Sequence, residues 1–336
     1  MKRPVVRVIG QSGNDLIPSW SERLLAVRFT DNEGGEADEI EIDLSVTPAE
    51  ADPPAEGTEY RLFYGWEASA LKDAGTFTYQ NAGLTFDAEG GGWVLTIVAR
   101  SADFVDAEKS ADSEHFEETT AGEIFKKLAS DVGKAAKIHP SLAAITIPYR
   151  LRMQQSAVGF AQALAEELGG TLKLAKGQWL LTMKNSGETA GGSAIPPIFL
   201  SADNVSACDL NTEASPKHGK VEVSHFDEEK GFSLLEAVTG LGKAARFVSL
   251  HPAPSLDEAK VRSKAQALEL SRETITGSVT VDGDPAAMAG AAVMLTGFGS
   301  WNGHDLVAPS IQHEFTFDDS GGWQMTVECA ARTQSG

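Results

Sequence analysis

Two stretches of this chain, offset by 230 residues, repeat the same pattern. The first is Leu84–Ile97 and the second is Phe315–Val327. With one glycine deleted, their Thr, Phe, Asp, paired Gly, Trp and final Thr residues coincide. Each half alternates apolar and polar residues, which is typical of a strand with one buried face. The Asp-x-x-Gly-Gly centre is typical of a turn, because glycine adopts positive φ without a Cβ clash. We therefore predict two β-hairpins, with Trp93 and Trp323 each beginning a return strand.

The similarity extends upstream of both hairpins. Gly57–Leu62 precedes the first and Gly290–Leu295 precedes the second, an offset of 233 residues. A repeat at this long period predicts two related domains rather than a solenoid. The alternative is coincidence, since antiparallel sheets reuse Gly-rich turns before aromatic residues. In the repeat interpretation the packed core of the hairpins is Phe86, Trp93, Phe317 and Trp323, and their turns are Gly91, Gly92, Gly321 and Gly322.

Composition limits the class of protein. A chain of 336 residues with 42% hydrophobic content suggests two or three domains with real cores. Its 28 Lys and Arg against 48 Asp and Glu give a net charge of −20, which argues against binding duplex nucleic acid through its phosphates. Two cysteines, Cys208 and Cys329, are too few for a disulfide framework. No apolar segment follows Met1, and the weakly polar run Ala286–Gly299 is too short to cross a membrane. We expect a soluble protein made inside the cell, without a signal peptide or membrane insertion.

The first hundred residues predict an all-β unit. Short strands alternate with turns and end in the first Trp hairpin near Arg100; they are Val5–Ile9, Leu24–Phe29, Glu39–Leu44, Tyr60–Trp66 and Gly75–Gln80. Between Asp31 and Glu59 there are eleven acidic residues and no Lys or Arg. This part of the unit is therefore strongly acidic.

The middle of the chain changes character. Thr120 and Glu123 form a capping box before apolar residues at helical spacing, and a second helix begins at Ser156. A hairpin over 171–183 follows. From Ile124 to Lys184 there are nine Lys and Arg and three Asp and Glu, a net charge of +6 in an acidic chain. This asymmetry favours a separate inserted α/β module.

The chain then returns to β structure. Val205–Leu210 and Lys220–His225 predict strands, whereas residues 230–254 lack a pattern and are interpreted as a loop. A capping box at Ser255 and Glu258 opens a helix over 256–272. The predicted domains are a first β unit at 1–105, an α/β module at 106–199, and a second β unit with one helix at 200–336.

Recognisable catalytic or metal-binding spacings are absent from the sequence. The seven histidines are scattered, without a His-x-x-x-His or Cys-x-x-Cys pair. Gly240–Lys243 lacks the first glycine of a phosphate loop and is followed by Ala244 rather than Ser or Thr. Glu166 and Glu167 fit the solvated side of a helix. We therefore predict no enzymatic activity, no catalytic residues, no cofactor and no metal.

Several motifs together resemble the phage late control gene D family, the baseplate hub of contractile tails, related to the hub part of type VI secretion spike proteins. Val94–Arg100 followed by Ser-Ala-Asp-Phe is similar to the end of the family's first strand pair. Met153–Gly170 is similar to its "Q-x-x-S-x-x-x-F-x-x-x-L-A-x-x-x-G-G" helix, and Ser310–His313 to the strand before its last hairpin. Ser310 stands near a usual aromatic residue, and Trp323 replaces a usual Tyr. The resemblance spans about residues 1–333.

The resemblance implies a fold and a role. The fold is mainly β, with two related tail-tube-type antiparallel β-barrel domains split by the small α/β module. The role is a structural hub: a homotrimer forming a pseudo-six-fold ring that joins the tail tube to the central spike. Further partners are the tape measure and other baseplate proteins. The place is the virion tail baseplate, or a phage-like injection particle, assembled in the bacterial host cytoplasm. Since the chain stops soon after the second hairpin, no fused spike or hydrolase is expected.

Two alternatives stay open. One is a glycan-binding or glycan-hydrolysing tail component, and the other is a tail connector or terminator with a similar barrel. In the hub interpretation DNA passes through the channel without specific binding. We then expect acidic side chains around that channel, because an acidic wall repels DNA and lets it slide. The basic module is expected at the periphery, where it faces either an acidic neighbour or solvent alone.

Overall fold

A computed structural model describes the chain over residues 3–88, 92–101, 111–184, 186–212, 218–227, 231–239, 245–249, 252–272, 275–317 and 321–332. Its main feature is one 13-stranded sheet that both β units share. Two smaller sheets and a two-stranded ribbon accompany it. The architecture confirms the predicted fold class, a mainly β protein with an α/β insertion.

The first unit contributes six strands to the large sheet. In sheet order these are β1 (Pro4–Gly10), β4 (Glu59–Trp66), β5 (Lys72–Asp87), β6 (Gly92–Arg100), β3 (Glu39–Val46) and β2 (Leu24–Asn32). Neighbouring strands are antiparallel throughout. Alternate residues point inward, so that Ile40 and Ile42 of β3 are fully buried while Glu39 and Glu41 are not. A short helix, α1 (Ile17–Trp20), packs against this core.

The second unit contributes seven strands. They are β12 (Ile198–Ser201), β13 (Val205–Thr212), β17 (Ile275–Asp282), β18 (Ala292–Thr296), β19 (Leu306–Val307), β20 (Ser310–Thr316) and β21 (Trp323–Ala331). Strand β21 is central: β20 and β19 pair with one edge and β17 with the other. Beyond them, β13 pairs with β17, while β18 and β12 follow β19.

The two units match strand for strand. Read from one edge, β1-β4-β5-β6-β3-β2 corresponds to β12-β18-β19/β20-β21-β17-β13, in the same sequence order. Even the irregularities coincide. A register shift between Leu24 and Ala26 of β2 recurs between Val205 and Ala207 of β13. One difference is the edge strand: β1 is antiparallel to its neighbour β4, whereas β12 is parallel to β18.

A further shared irregularity explains why one strand of the first unit is two strands in the second. The pairing of β5 with β6 shifts by one residue at Gln80. At the equivalent place between β19 and β20 stands Pro309. Proline has no N–H to give to a ladder and is tolerated at such bulges, so the strand is interrupted there.

This correspondence fixes the register of the repeat. It aligns Trp93 with Trp323 and Gly57 with Gly290, whose φ angles are 76° and 84°. On the first hairpin strand, however, it differs from the sequence alignment by two residues. Phe86 lies opposite Trp93, and the residue opposite Trp323 is Phe315, not Phe317. The reason is that seven residues separate Phe315 from Trp323, whereas six separate Phe86 from Trp93.

The inserted module has a core of its own. A ribbon of β7 (Ala111–Thr120) and β9 (Thr146–Ser156) lies beside a sheet of β10 (Gly170–Ala175), β11 (Gln178–Met183) and β8 (Ala135–Ile138). The helices are α2 (Ala121–Asp131), α3 (Pro140–Ala143) and α4 (Ala157–Glu167). Helix α2 has the predicted capping box between Thr120 and Glu123, and α4 begins at the predicted Ser156 cap. Phe125, Phe160 and Trp179 are buried between helices and sheet.

The second small sheet corrects one prediction. Residues 230–254 are not a loop, because they hold β15 (Phe232–Thr239) and β16 (Ala245–Val248). Both strands flank β14 (His218–Asp227), and helix α5 (Leu256–Arg272) packs on β14 and β15. The flanking Gly and Lys residues hide the short alternation of these strands in the sequence. Within the described residues, no helix is long and apolar enough to cross a membrane.

Candidate functional site at the joint between the units

The two β units are joined edge to edge. Strand β2 of the first unit pairs antiparallel with β20 of the second, from Ala26 opposite Thr316 to Asn32 opposite Ser310. On the outer face of this joint the Arg28 guanidinium bridges three carboxylates from two strands, β3 and β20. Its distances are 2.7 Å to Asp43, 2.9 Å to Glu314 and 3.4 Å to Glu41. The joint therefore combines a backbone ladder with a charge network across both units.

The inner face of the joint is aromatic. Trp323 lies in the core of the first unit, with its ring centroid 4.8 Å from that of Trp66 and 5.7 Å from that of Tyr64. Its Nε1 donates to Nδ1 of His313 at 3.2 Å. Gly283 makes room for the indole, since a Cβ there would lie 2.1 Å from the ring. The second unit thus inserts its hairpin into the first.

His313 is the polar centre of this cluster. It is fully buried, stacks on Phe29, and lies 3.5 Å from the Tyr64 hydroxyl through Nε2. Burial, assisted by the nearby Lys72 cation, lowers the pKa of His313 to about 3. Burial also raises the pKa of Tyr64 far above its ordinary value. The imidazole is therefore neutral at pH 7, accepting from Trp323 on one ring nitrogen.

A buried ion cluster ties the module to both units. Lys173 of β10 pairs with Asp31, and with Asp38 at 2.9 Å, in the first unit. The second oxygen of Asp31 accepts from the Ala289 backbone N–H of the second unit at 3.0 Å. Nearby, the Lys72 ammonium donates to the Ala287 carbonyl at 2.9 Å. One lysine and one aspartate thereby connect all three parts of the chain.

The charges of this cluster depend on one another. Burial alone would lower the pKa of Lys173, but Asp31 and Asp38 raise it above its ordinary value. Burial tends to raise the pKa of Asp31, and Lys173 reverses the direction and lowers it. Burial raises the pKa of Asp38 to about 6, against the opposing effect of Lys173. The cluster is thus one ammonium held between an ionised Asp31 and an easily protonated Asp38.

A second polar cluster fixes helix α5 to the module. Arg150 of β9 donates to the fully buried Glu258 at 2.7 Å and lies 3.3 Å from Glu167. Arg262 of α5 contacts the same two carboxylates, at 3.4 and 2.6 Å. Ser255 accepts from the Glu258 N–H, which is half of the predicted capping box. One oxygen of the Glu258 carboxylate therefore contacts both arginines.

The predicted repeat residues occupy different environments. Trp323 is 3% exposed, whereas Trp93 is half-buried. The prediction of a shared core is wrong for Phe86, which is 57% exposed, and for Phe317, which is 38% exposed. The covering residues explain this difference: Tyr64 and Trp66 cover the second hairpin, and in the described residues no equivalent covers the first.

The four glycines predicted for the turns also differ. Gly92 has a φ of 63°, and Gly322 exchanges hydrogen bonds with Thr316. Gly321 is exposed, and Gly91 lies outside the described residues.

The acidic segment of the first unit is partly neutralised within the chain. Asp31 and Asp38 are buried against Lys173, and Arg28 holds Glu41 and Asp43. Lys173 is one of the nine basic residues of the module, so the acidic neighbour of that lysine is the first unit itself. Sequence spacing did not reveal this pair, because its members are 142 residues apart. Within the described ranges, no three His, Cys, Asp or Glu residues form a possible metal site.

Comparison with known proteins identifies the family. The family model described as phage tail baseplate hub matches residues 41–319, which is most of the chain. The chain belongs to the phage tail baseplate hub family. A relative of this hub family, the probable baseplate hub protein of Escherichia phage 186, is 32% identical over 242 residues. The alignment covers 67% of this chain and 61% of that relative's length.

Solved structures share the fold of this family member at low identity. The 43 kDa tail protein of prophage MuSo2 from Shewanella oneidensis aligns with a TM-score of 0.69 and 15% identity, over 98% of each chain. An E. coli component of the type VI secretion system, described as similar to the T4 tail proteins gp27 and gp5, aligns with a TM-score of 0.55 and 7% identity. That alignment covers 93% of this chain and 74% of the other.

Proposed function

We propose that this chain is the structural hub of a phage tail baseplate, a homotrimer whose six β units form a ring between the tail tube and the central spike. The observation that carries the proposal is the β2–β20 joint between two matching units. A chain that joins two equivalent units edge to edge is already one third of a six-unit ring. Closed cyclic symmetry is the usual solution for homo-oligomers, and head-to-tail contacts close such a ring.

The rigidity of the joint supports this role. The packing of Trp323 against Tyr64 and Trp66, the Lys173 cluster and the seven-residue strand pairing hold the units in one relative orientation. A ring of fixed diameter needs such a fixed angle, because small errors at each joint would add up around the circle. The six similar units would face a six-subunit tube above, and the three-fold arrangement of chains would face a trimeric spike below.

We propose the domain limits 1–105, 106–199 and 200–336 within this assembly. The tape measure and other baseplate proteins are further partners, and the site is the virion tail baseplate or a phage-like particle, assembled in the host cytoplasm. The net charge of −20 supports an acidic channel that DNA passes without specific binding. Glu50, Asp52, Glu56 and Glu59 are the candidates for its wall, since Asp31 and Asp38 are buried.

The proposal is tested by the copy number. Native mass spectrometry of the purified chain, alone and with a trimeric candidate spike, is expected to show three copies. Monomer at low concentration is compatible with assembly driven by the spike, because binding shifts the association equilibrium. Two or four copies in the presence of the spike would contradict the ring.

A second candidate function follows from one cavity. A cavity of about 450 Å³ in the first unit, beside α1, is lined by apolar, aromatic, acidic and basic side chains, including Trp20, Tyr60, Glu50 and Asp52. An aromatic ring beside carboxylates is a surface on which a glycan could bind, and two carboxylates are the usual machinery of glycoside hydrolysis. The hub function does not require this cavity to bind anything, so a glycan assay separates the two.

A further inference from the structure

The internal joint identifies two strand edges that have no equivalent partner in the described chain. In the strand correspondence, β20 matches the second half of β5, and β2 matches β13. Within one chain β20 pairs with β2. If the pairing of β20 with β2 is repeated between the first unit of one chain and the second unit of another, the second half of β5 pairs with β13. In a single chain these two strands do not meet.

Both edges are open to a partner in the described part of the chain. Strand β4 pairs with β5 only as far as Thr78, so that Gly83–Phe86 has β6 on one side and no described strand on the other. Strand β13 pairs with β17 alone. An open edge offers a row of backbone donors and acceptors to another strand. Each edge therefore offers its backbone N–H and C=O groups to a further strand.

The side chains along these edges are also those of an uncovered interface. Leu84 is 43% exposed and Phe86 is 57% exposed, and Cys208 of β13 is exposed as well. Their counterparts at the internal joint are buried: His313 and Phe315 on β20, and Val27 on β2. Apolar side chains therefore occupy the same alternate positions at the internal joint and along the open edges. The difference is that a neighbouring strand covers them at the internal joint.

We propose that each chain of the ring joins the next by adding β13 to the open edge of β5. Transferring the β2–β20 register places Gly83–Phe86 antiparallel to Cys208–Asn211 of the next copy, with Leu84 opposite Leu210 and Phe86 opposite Cys208. The occupant is a second copy, because the complementary edge lies on the other unit of this same chain. Strand addition supplies main-chain hydrogen bonds, and the apolar pairs set the register. The proposal rests on the ring proposed above and specifies its contacts.

The contact is heterologous, since β5 of one chain meets β13 of another. Such contacts repeat until the rotation closes the circle. Internal and intermolecular joints would then alternate around the ring with the same geometry. This also explains the unequal burial of the two hairpins: the Phe86–Trp93 pair, with centroids 4.8 Å apart, would be covered by the next copy as Phe315 and Trp323 are covered within the chain.

The native cysteines make a direct test available. Cys208 is exposed and Cys329 is buried, so Cys208 is the native thiol that a third cysteine on β5 can reach. The variant is Phe86→Cys in the full chain, oxidised at high protein concentration and resolved on a non-reducing gel. The matched control is Thr85→Cys, one residue away on the opposite face of the strand. A third variant, Phe86→Cys with Cys208→Ser, removes the expected partner. Phe86 is exposed in the isolated chain, so the monomer fold tolerates its replacement.

The expected result is disulfide-linked dimers and trimers, formed about tenfold faster by Phe86→Cys than by Thr85→Cys, since Cβ vectors that point apart cannot be bridged without backbone movement. The bands should disappear with Cys208→Ser. A trimer by mass without preferential linkage of Phe86→Cys would contradict the strand pairing, but it would not contradict the ring. A chain that stays monomeric at every concentration with a trimeric candidate spike present, and shows no preferential linkage, would overturn both. Linked dimers that never add a third copy would keep the pairing and overturn the three-chain ring.

Discussion

Trp323 donates its indole N–H to His313 at 3.2 Å inside the core of the first unit, although both residues belong to the second. The rings of Phe29 and Tyr64, from the first unit, complete the surroundings of His313. The two units therefore do not have independent cores at their joint. We expect them to unfold together, with the joint as part of the cooperative structure.

Trp323→Ala should destabilise the chain far more than Trp93→Ala. The buried Trp323 leaves a large cavity when truncated, at a cost on the order of 3–5 kcal/mol, whereas the half-buried Trp93 loses less. Urea unfolding of the monomer measures both free energies. Equal losses in the two variants would show that the first hairpin is already covered within one chain, which contradicts the difference in burial.

Gly283→Val should reproduce part of the Trp323→Ala effect without touching the tryptophan. A Cβ at position 283 collides with the indole, while the equivalent residue opposite Trp93 is already Val46. The indole must leave its pocket, and its fluorescence should shift to longer wavelength as it meets water. Wild-type fluorescence and stability in Gly283→Val would contradict the packing described for Trp323.

Acid should weaken the fold through His313. The unfolded histidine binds a proton below about pH 6.5, and the folded one, with its pKa lowered to about 3, does not until the solution is far more acidic. The unfolded state therefore binds more protons in this window, so the stability contributed by the neutral imidazole is present above pH 6.5 and is lost as pH falls toward 3. The loss is about 1.4 kcal/mol per pH unit for one such group.

The control for this titration is His313→Asn, whose side-chain oxygen can still accept from Trp323. Asp38, with its pKa raised to about 6, acts in the opposite direction, because the folded state holds its proton more tightly. Comparing the two proteins cancels this contribution. The difference in unfolding free energy between wild type and His313→Asn should shrink as the pH falls from 6.5 to 4. Parallel curves would exclude His313 as the titrating group.

Lys173→Met should destabilise the chain by about 3–5 kcal/mol, because it leaves Asp31 and Asp38 buried without their cation. Lys176→Met, an exposed lysine of the same hairpin, is the matched control and should be nearly neutral. Adding Asp38→Asn to Lys173→Met should restore part of the loss, since a neutral amide can still accept from the Asn32 N–H. A Lys173→Met protein as stable as the control would refute the three-way connection.

Much of the fold is predictable from the sequence because it depends on local pattern. The hairpins, the Thr120 capping box and the +6 module all follow from residues close together in the chain. The hairpin register is less accessible. The Thr-Phe-Asp copies align in sequence, but the second hairpin has one more residue between its paired aromatic residues, so that Phe315 and not Phe317 lies opposite Trp323.

The joint itself depends on contacts that no spacing reveals. His313 is one of seven scattered histidines in the sequence, and only the folded sheet brings it beside Tyr64, 249 residues away. The burial of Trp323 but not Phe86 likewise depends on which neighbour covers each hairpin. The two hairpins therefore have similar sequences but different neighbours within one chain. The sequence pattern of a hairpin does not show which neighbour will cover it.

The chain should release no reducing ends from peptidoglycan or soluble glycans. If the cavity beside α1 of the first unit were a hydrolase site, Glu50 and Asp52 would be its carboxylates. The assay compares wild type with Asp52→Asn, which keeps the shape of the cavity. Turnover that is abolished by this substitution would establish the glycan-hydrolysing alternative in place of a purely structural role.

A cryo-electron microscopy reconstruction of the assembled chain, with its spike if assembly requires it, would show the ring directly. We expect three copies whose six β units are related by rotations of about 60°, as closed cyclic symmetry with head-to-tail contacts requires. Trp93 should superpose on Trp323, and the module should lie outside the ring. A ring of two or four copies, or three copies whose two units contact the axis in unrelated ways, would contradict this arrangement.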